Sequence, residues 1–235
     1  MDDPRALSLY AAAVQVDFHA REITVKLVYY GPALSGKTTN LQAIHQLVTN
    51  ETAGRLMTLE TRDDRTLFFD LLPLTFAGGQ NLQIRFKLFT VPGQVMHNAT
   101  RRLVLQGADG TAFIADSQKS ETKANQQAFL NMRKNLQENG IDPDSHPVVV
   151  QFNKRDLPAI RTDEEIDRLT SRGREPVYKA IATRGVGVIE TFIGLTELTW
   201  RHLESVHQLH DKFGLHPDEF LNTIRERLGI GRAAE

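Results

Sequence analysis

Residues 31–38 read Gly-Pro-Ala-Leu-Ser-Gly-Lys-Thr, two glycines separated by four residues and followed by a lysine and a hydroxyl. Glycines let the backbone curl until successive N–H groups point at one anion, and a helix opening at the lysine adds its positive end. This spacing matches the phosphate-binding P-loop in full. Gly31, Ala33, Leu34, Ser35, Gly36, Lys37, Thr38 and Thr39 are the candidate phosphate contacts. Lys37 reaches the β- and γ-phosphates, and the Thr38 hydroxyl ligates Mg²⁺. The bland alternative is an accidental glycine turn. The apolar run ITVKLVYY before it and a helical pattern after it weigh against that. The motif implies a nucleoside triphosphate without saying which.

The base is selected elsewhere. The apolar run PVVVQF leads into Asn153-Lys154-Arg155-Asp156. A carboxylate at Asp156 can accept two N–H groups from the edge of guanine. Adenine has no matching donor pair, and leaving a buried charge unpaired costs on the order of 3–5 kcal/mol. Lys154 is expected to lay its aliphatic stem along the base plane. A third short stretch, Thr90-Val91-Pro92-Gly93-Gln94, closes an alternating run over 82–91.

Together these stretches resemble the Ras-like small GTPases, and more narrowly the bacterial MglA-type GTPases. The resemblance is carried by YYGPALSGKTTNL, DRTLFFDLLP, FTVPGQV and FNKRDLP and covers about residues 15–205. It implies a three-layer α/β P-loop GTPase fold that hydrolyses GTP to GDP with Mg²⁺ and acts as a switch in bacterial cell polarity or motility. In that family Gln94 would orient the attacking water and the Gly93 N–H would sense the γ-phosphate. Thr66 would be the switch hydroxyl on Mg²⁺ or γ-phosphate. Ala182-Thr183 would form the last guanine-facing element, with the Ala182 N–H on the guanine carbonyl. Arg65 could serve as an intrinsic arginine finger, worth roughly 10³–10⁵ in rate; otherwise it is a solvated loop charge beside Asp63 and Asp64. The resemblance also implies a roadblock-type homodimeric GTPase-activating protein docking near 66–72, and downstream polarity or motility effectors.

Two positions depart from the Ras-like pattern. Thr90 stands where Ras-like proteins carry a metal-facing aspartate, and a hydroxyl neutralises Mg²⁺ less well than a carboxylate. Asp70, or Asp63 and Asp64, could compensate through water. The resemblance implies that this threonine is normal for MglA-type proteins. Ala33 occupies a P-loop position that is glycine in most of these proteins, and its methyl group can crowd Gln94 or an incoming finger. Slow hydrolysis is expected. A GTP-bound scaffold with little hydrolysis is therefore the alternative reading. An ATP-using P-loop kinase ranks below both, having no reason to carry Asn-Lys-x-Asp.

These residues need elements to position them. Strands are expected at 23–30, 66–72 (stopped by Pro73), 82–91, 110–115, 147–152 and 176–181. Helices are expected at 37–48, 121–138 and 188–209, with a short one behind a Thr162/Glu165 capping box. That order predicts a six-stranded, mostly parallel sheet with helices on both faces, strand 66–72 being an antiparallel edge strand. Of Phe68 and Phe69, one could face a partner or both could be covered. Residues 1–15 read as an extension that frays or covers a sheet edge, 16–209 as the G domain, and 210–235 as a helical extension. That extension packs on the core or binds a partner. Its histidines, with His202 and His207, show no clean spacing for zinc.

A net charge of −1 argues against a nucleic-acid binder or a membrane-surface binder. The absence of cysteine excludes disulfides, thiolate catalysis and cysteine-linked lipid anchors. With no membrane-length apolar run, a cytoplasmic monomer without a membrane anchor is expected.

Overall fold

The computed structural model describes residues 15–17, 19–48, 52–59, 69–78, 81–94 and 97–228. Strands β1 (Gln15–Asp17) and β2 (Glu22–Tyr30) are followed by α1 (Lys37–Leu47), β3 (Met57–Leu59), β4 (Phe69–Ala77) and β5 (Gln83–Thr90). Next come α2 (Asn98–Leu105), β6 (Gly110–Asp116), α3 (Thr122–Glu138), β7 (Val148–Asn153), α4 (Asp163–Thr170) and β8 (Val177–Lys179). Helices α5 (Val188–His207), α6 (Leu209–Phe213) and α7 (Pro217–Arg227) complete the order.

The strands form one sheet in the order β3-β4-β5-β2-β6-β7-β8, with β1 beside β2. From β5 to β8 all pairings are parallel. The architecture is the expected three-layer α/β sandwich. Its strand count is eight rather than six, because β1 and β3, three residues each, pair at the margins. Segments that short carry no readable periodicity, and pairing rather than propensity makes them strands.

The strand around residue 70 differs most from expectation. It does not stop at Pro73 but runs to Ala77, and β3 lies outside it. The reason is local. In a strand a residue's N–H and C=O point to the same side. The Pro73 carbonyl faces outward and accepts from the Gly54 N–H at 2.9 Å. Proline's missing donor therefore falls on the outer side, where the ladder with β3, which pairs only 69–71, has already ended.

Period-two alternation decides which side chains meet which layer. In β4, Leu72, Leu74 and Phe76 join the apolar layer under α1, α5 and α7, while Phe69 joins the layer under α2, α3 and α4. Phe69 is buried against Phe89, ring centroids 6.1 Å apart; Phe68 lies outside the described residues. In β5, Ile84, Phe86 and Leu88 face the same layer as Leu72. The capping box of Thr162 and Glu165 opens α4.

The C-terminal segment packs on the core. Leu209, Phe213, Phe220, Ile224 and Leu228 belong to the same apolar cluster as β2 and β5. Phe220 is buried, its ring 4.5 Å from Trp200 and stacked 6.2 Å from Phe86. No helix of the described residues is long and apolar enough to cross a membrane. Truncating Phe220 removes an aromatic ring wedged between two others. Phe220→Ala should therefore lower stability by about 3–5 kcal/mol. Urea unfolding followed through the fluorescence of Trp200, the chain's single tryptophan, measures it.

Candidate functional site

The motifs singled out in the sequence converge at the carboxyl ends of β2, β5, β6 and β7, where open α/β sheets bind ligands. Gly36 caps α1 with φ 98°, and a Cβ there would come within 2.2 Å of Asn153 Nδ2. Only glycine serves at that position. No side chain caps α1, so its first amides face outward with the positive end of the helix. The Lys37 ammonium is buried and donates to the carbonyls of Pro32 at 2.6 Å and Gly31 at 3.1 Å. Burial, helped by the nearby Arg101 charge and opposed by Asp70, pushes its pKa down to about 8. An anion arriving here meets a cation short of counter-charge.

The Asn153–Asp156 segment is fastened to the glycine loop by one amide. Asn153 Nδ2 donates to the Ser35 carbonyl at 2.9 Å, and Asn153 Oδ1 accepts from the Ala182 N–H at 2.9 Å. A direct bond from Ala182 to a guanine carbonyl would therefore share a hydrogen already engaged. Lys154 takes a left-handed φ of 63° and donates to Asp116 Oδ2 at 2.6 Å. Asp116 is buried at the end of β6, in register with Asn153. Sequence reasoning missed Asp116, although an acidic residue closing the apolar run GTAFIA was a usable signal. Asp156 and Thr183 are exposed beside this frame.

A second polar cluster is built around Asp70. Its carboxylate accepts from the hydroxyls of Thr38 at 2.6 Å, Thr58 at 2.9 Å and Thr90 at 2.9 Å, and its own N–H donates to Thr90 Oγ1 at 2.8 Å. Asp70 and Thr90 lie one residue beyond the Leu71–Phe89 pair of the β4–β5 ladder. Both follow the α1-facing alternation. The carboxylate missing from position 90 is thus supplied by the adjacent strand. Of the alternatives open in the sequence, Asp63 and Asp64 lie outside the described residues, as do Arg65 and Thr66.

A cleft of about 730 Å³ runs between these parts, lined by Lys37, Thr38, Asp70, Thr90, Gly93 and Gln94 among others. Its volume suits a ligand rather than a water cluster. Gly93 lies directly on the P-loop: a Cβ there would come within 2.4 Å of Ala33 Cα. Gln94, next in sequence, is exposed at the cleft.

No protein-family model matches the chain. The chain is 46% identical over 189 residues to the mutual gliding-motility protein MglA of Myxococcus xanthus, a match spanning 80% of this chain and 97% of that protein.

Replacing Asn153 by alanine leaves the Ser35 carbonyl and the Ala182 N–H without their shared partner. Each buried group so orphaned costs about 1–3 kcal/mol. Asn153→Ala should therefore lower folding stability by about 1–3 kcal/mol for each of the two groups. Urea unfolding followed through Trp200 fluorescence measures that loss.

Proposed function

The chain belongs to the MglA-type family of small GTPases, and on that premise we propose that it is a guanine-nucleotide switch that binds GTP and GDP with Mg²⁺ and hydrolyses GTP slowly. By analogy with its relative in M. xanthus, the switch serves gliding motility or cell polarity.

The observation that carries this reading is the Asp70 carboxylate on the Thr38 hydroxyl at 2.6 Å, steadied by Thr90. A hydroxyl and a carboxylate are hard oxygen donors that suit Mg²⁺ completed by water and phosphate oxygens. Thr38 would ligate the ion, and Asp70 would orient that hydroxyl and the ion's water. Once bound, the ion would neutralise charge on the β- and γ-phosphates. The protein's own groups do the rest. The amides opening α1 and the Lys37 ammonium hold the phosphates. Asp156 pairs with the guanine edge while Asn153 keeps its loop against Ser35. Gln94 orients the attacking water at the γ end, and the Gly93 N–H senses the γ-phosphate. Family resemblance supplies Thr66 as the nucleotide-dependent hydroxyl, Arg65 as the finger, and a roadblock-type homodimeric activator near β4. Loss of γ-phosphate contacts would release residues around Thr66, which is how such a switch signals.

One observation favours the second reading, a GTP-bound scaffold with little turnover. The Gly93 backbone, next to Gln94 in sequence, rests on the Ala33 backbone. Crowding there would slow hydrolysis without weakening binding.

Calorimetric titration with Mg²⁺ in excess should show saturable GDP binding and no ADP binding; preference for ADP, or no heat with either, defeats the reading. Asp70→Asn should lower the Mg²⁺ affinity of the GDP complex by about 10- to 100-fold, measured by nucleotide release during magnesium titration. Ala33→Gly should raise the single-turnover hydrolysis rate at unchanged GTP affinity. Equal rates would leave Ala33 without a role in hydrolysis.

A further inference from the structure

Beneath the proposed nucleotide cleft a buried polar cluster links β2, α2 and α3. Tyr30, the last residue of β2 before the P-loop, donates its hydroxyl to Asn131 Oδ1 at 2.6 Å and accepts from Asn135 Nδ2 at 3.1 Å. Asn131 and Asn135 lie one helical turn apart on α3. Both also donate to Asn98 Oδ1, at 2.9 and 3.1 Å. Asn98 opens α2, and the same oxygen lies 3.4 Å from Arg101 Nη2. The other arm of that guanidinium, Nη1, donates to the backbone carbonyl of Gln94 at 2.7 Å. The His97 N–H also donates to this carbonyl, at 3.2 Å. Tyr30, Asn135 and Arg101 are all buried.

We propose that Arg101 is the positioning residue for Gln94. Held by Asn98 and through it by Tyr30, Asn131 and Asn135, it fixes the glutamine's peptide against the P-loop, so that the exposed side chain starts from one place at the γ end of the cleft. The inference rests on the reading of the protein as a GTP hydrolase and adds to it a part that touches no nucleotide.

The reasoning is physical. A glutamine that orients water works only when its backbone is held, because a displacement of about 1 Å can cost on the order of 100-fold in rate. Apolar packing alone would not hold it, since Gln94 lies on the surface. A guanidinium is suited to the task because its planar fork satisfies two acceptors at once. The cluster's other end is anchored on β2, the central strand that also leads into the P-loop. The catalytic peptide and the phosphate loop are thus referred to the same rigid element. A second tie holds α2 along α3: Asn139 Nδ2 donates to the Arg102 carbonyl at 2.8 Å.

The test compares Arg101→Met, Arg101→Lys and Tyr30→Phe, each loaded with GTP and Mg²⁺. Arg101→Met should lower the single-turnover rate by roughly 10- to 100-fold with GDP affinity unchanged. Lysine, keeping one donor but not the fork, should restore part of that rate. Tyr30→Phe, which keeps the ring and loses only the hydroxyl, should lower the rate by less, again at constant affinity. Hydrogen exchange of the GDP-loaded Arg101→Met protein should accelerate at Gln94 and residues 97–101 and not in β7. Wild-type turnover in Arg101→Met and Tyr30→Phe, or unchanged exchange around Gln94, overturns the proposal; so does loss of GDP binding in all three variants, which would make the cluster part of the fold alone. A wild-type protein that binds GDP but never turns over defeats the hydrolase reading instead, and the exchange measurement then decides whether Arg101 positions Gln94.

Discussion

The Asn153 amide joins loops that are far apart in sequence and leaves neither with a free choice of position. Its donor end holds Ser35, 118 residues away, and its acceptor end holds Ala182, 29 residues on. Both contacts are buried, where an unmade hydrogen bond costs more than a made one gains. Gly36 has no side chain because that amide lies where a Cβ would be. The loop at Ser35, the loop at Asn153 and the turn after β8 are therefore tied to one another. The proposed nucleotide site presupposes that spacing.

Against this rigid frame the metal side depends on strand parity. Asp70 reaches Thr38 only because β4 is antiparallel to β5, and because residues 70, 72, 74 and 76 alternate onto the face covered by α1. A slip of one residue would turn Asp70 toward Phe69's layer and bring a phenylalanine under the threonine. The buried ring of Phe76 and side chains of Leu72 and Leu74 guard against that slip. The apolar face of this strand thus has a chemical consequence at its end: it keeps a carboxylate where the Thr90 position lacks one.

Much of this was legible in the sequence, and the part that was not has identifiable causes. Runs such as GTAFIAD and PVVVQF are long enough to declare strands, and glycine spacing around Lys37 declares the phosphate loop. The alternation expected over 82–91 holds from Leu82 to Leu88, beyond which Phe89, Thr90 and Val91 are all buried. Pro73 misled, because a missing donor breaks a strand only when it points at a partner, and direction cannot be read from composition. Strands β1 and β3 were missed because three residues hold no period. Asp70 was visible as one of three candidates; the β4–β5 register brings its carboxylate to Thr38, while Asp63 and Asp64 lie outside the described residues. Asp116, Asn98, Arg101, Asn131 and Asn135 belong to no motif. Arg101 reaches Asn98 and the Gln94 carbonyl close by in sequence, and the others act through side chains meeting across elements 33 to 105 residues apart.

That last group indicates where control over such a switch can reside. The groups proposed to bind a nucleotide are fixed to the sheet by Asn153 and by the turn at Gly36. The residue proposed to act on water is not; it sits on the Gly93–Gln94 peptide, resting on Ala33 on one side and tethered to Arg101 on the other. On the proposed reading, binding and turnover rest on different contacts, and one can change while the other stays. A partner that shifts α2 or α3 by a fraction of an ångström would alter the Asn98–Arg101 geometry without touching the P-loop. Hydrogen bonds lose strength steeply with misalignment, so a small displacement is enough to free the Gln94 carbonyl. A nucleotide can then remain bound while its lifetime is set from the far side of the polar cluster.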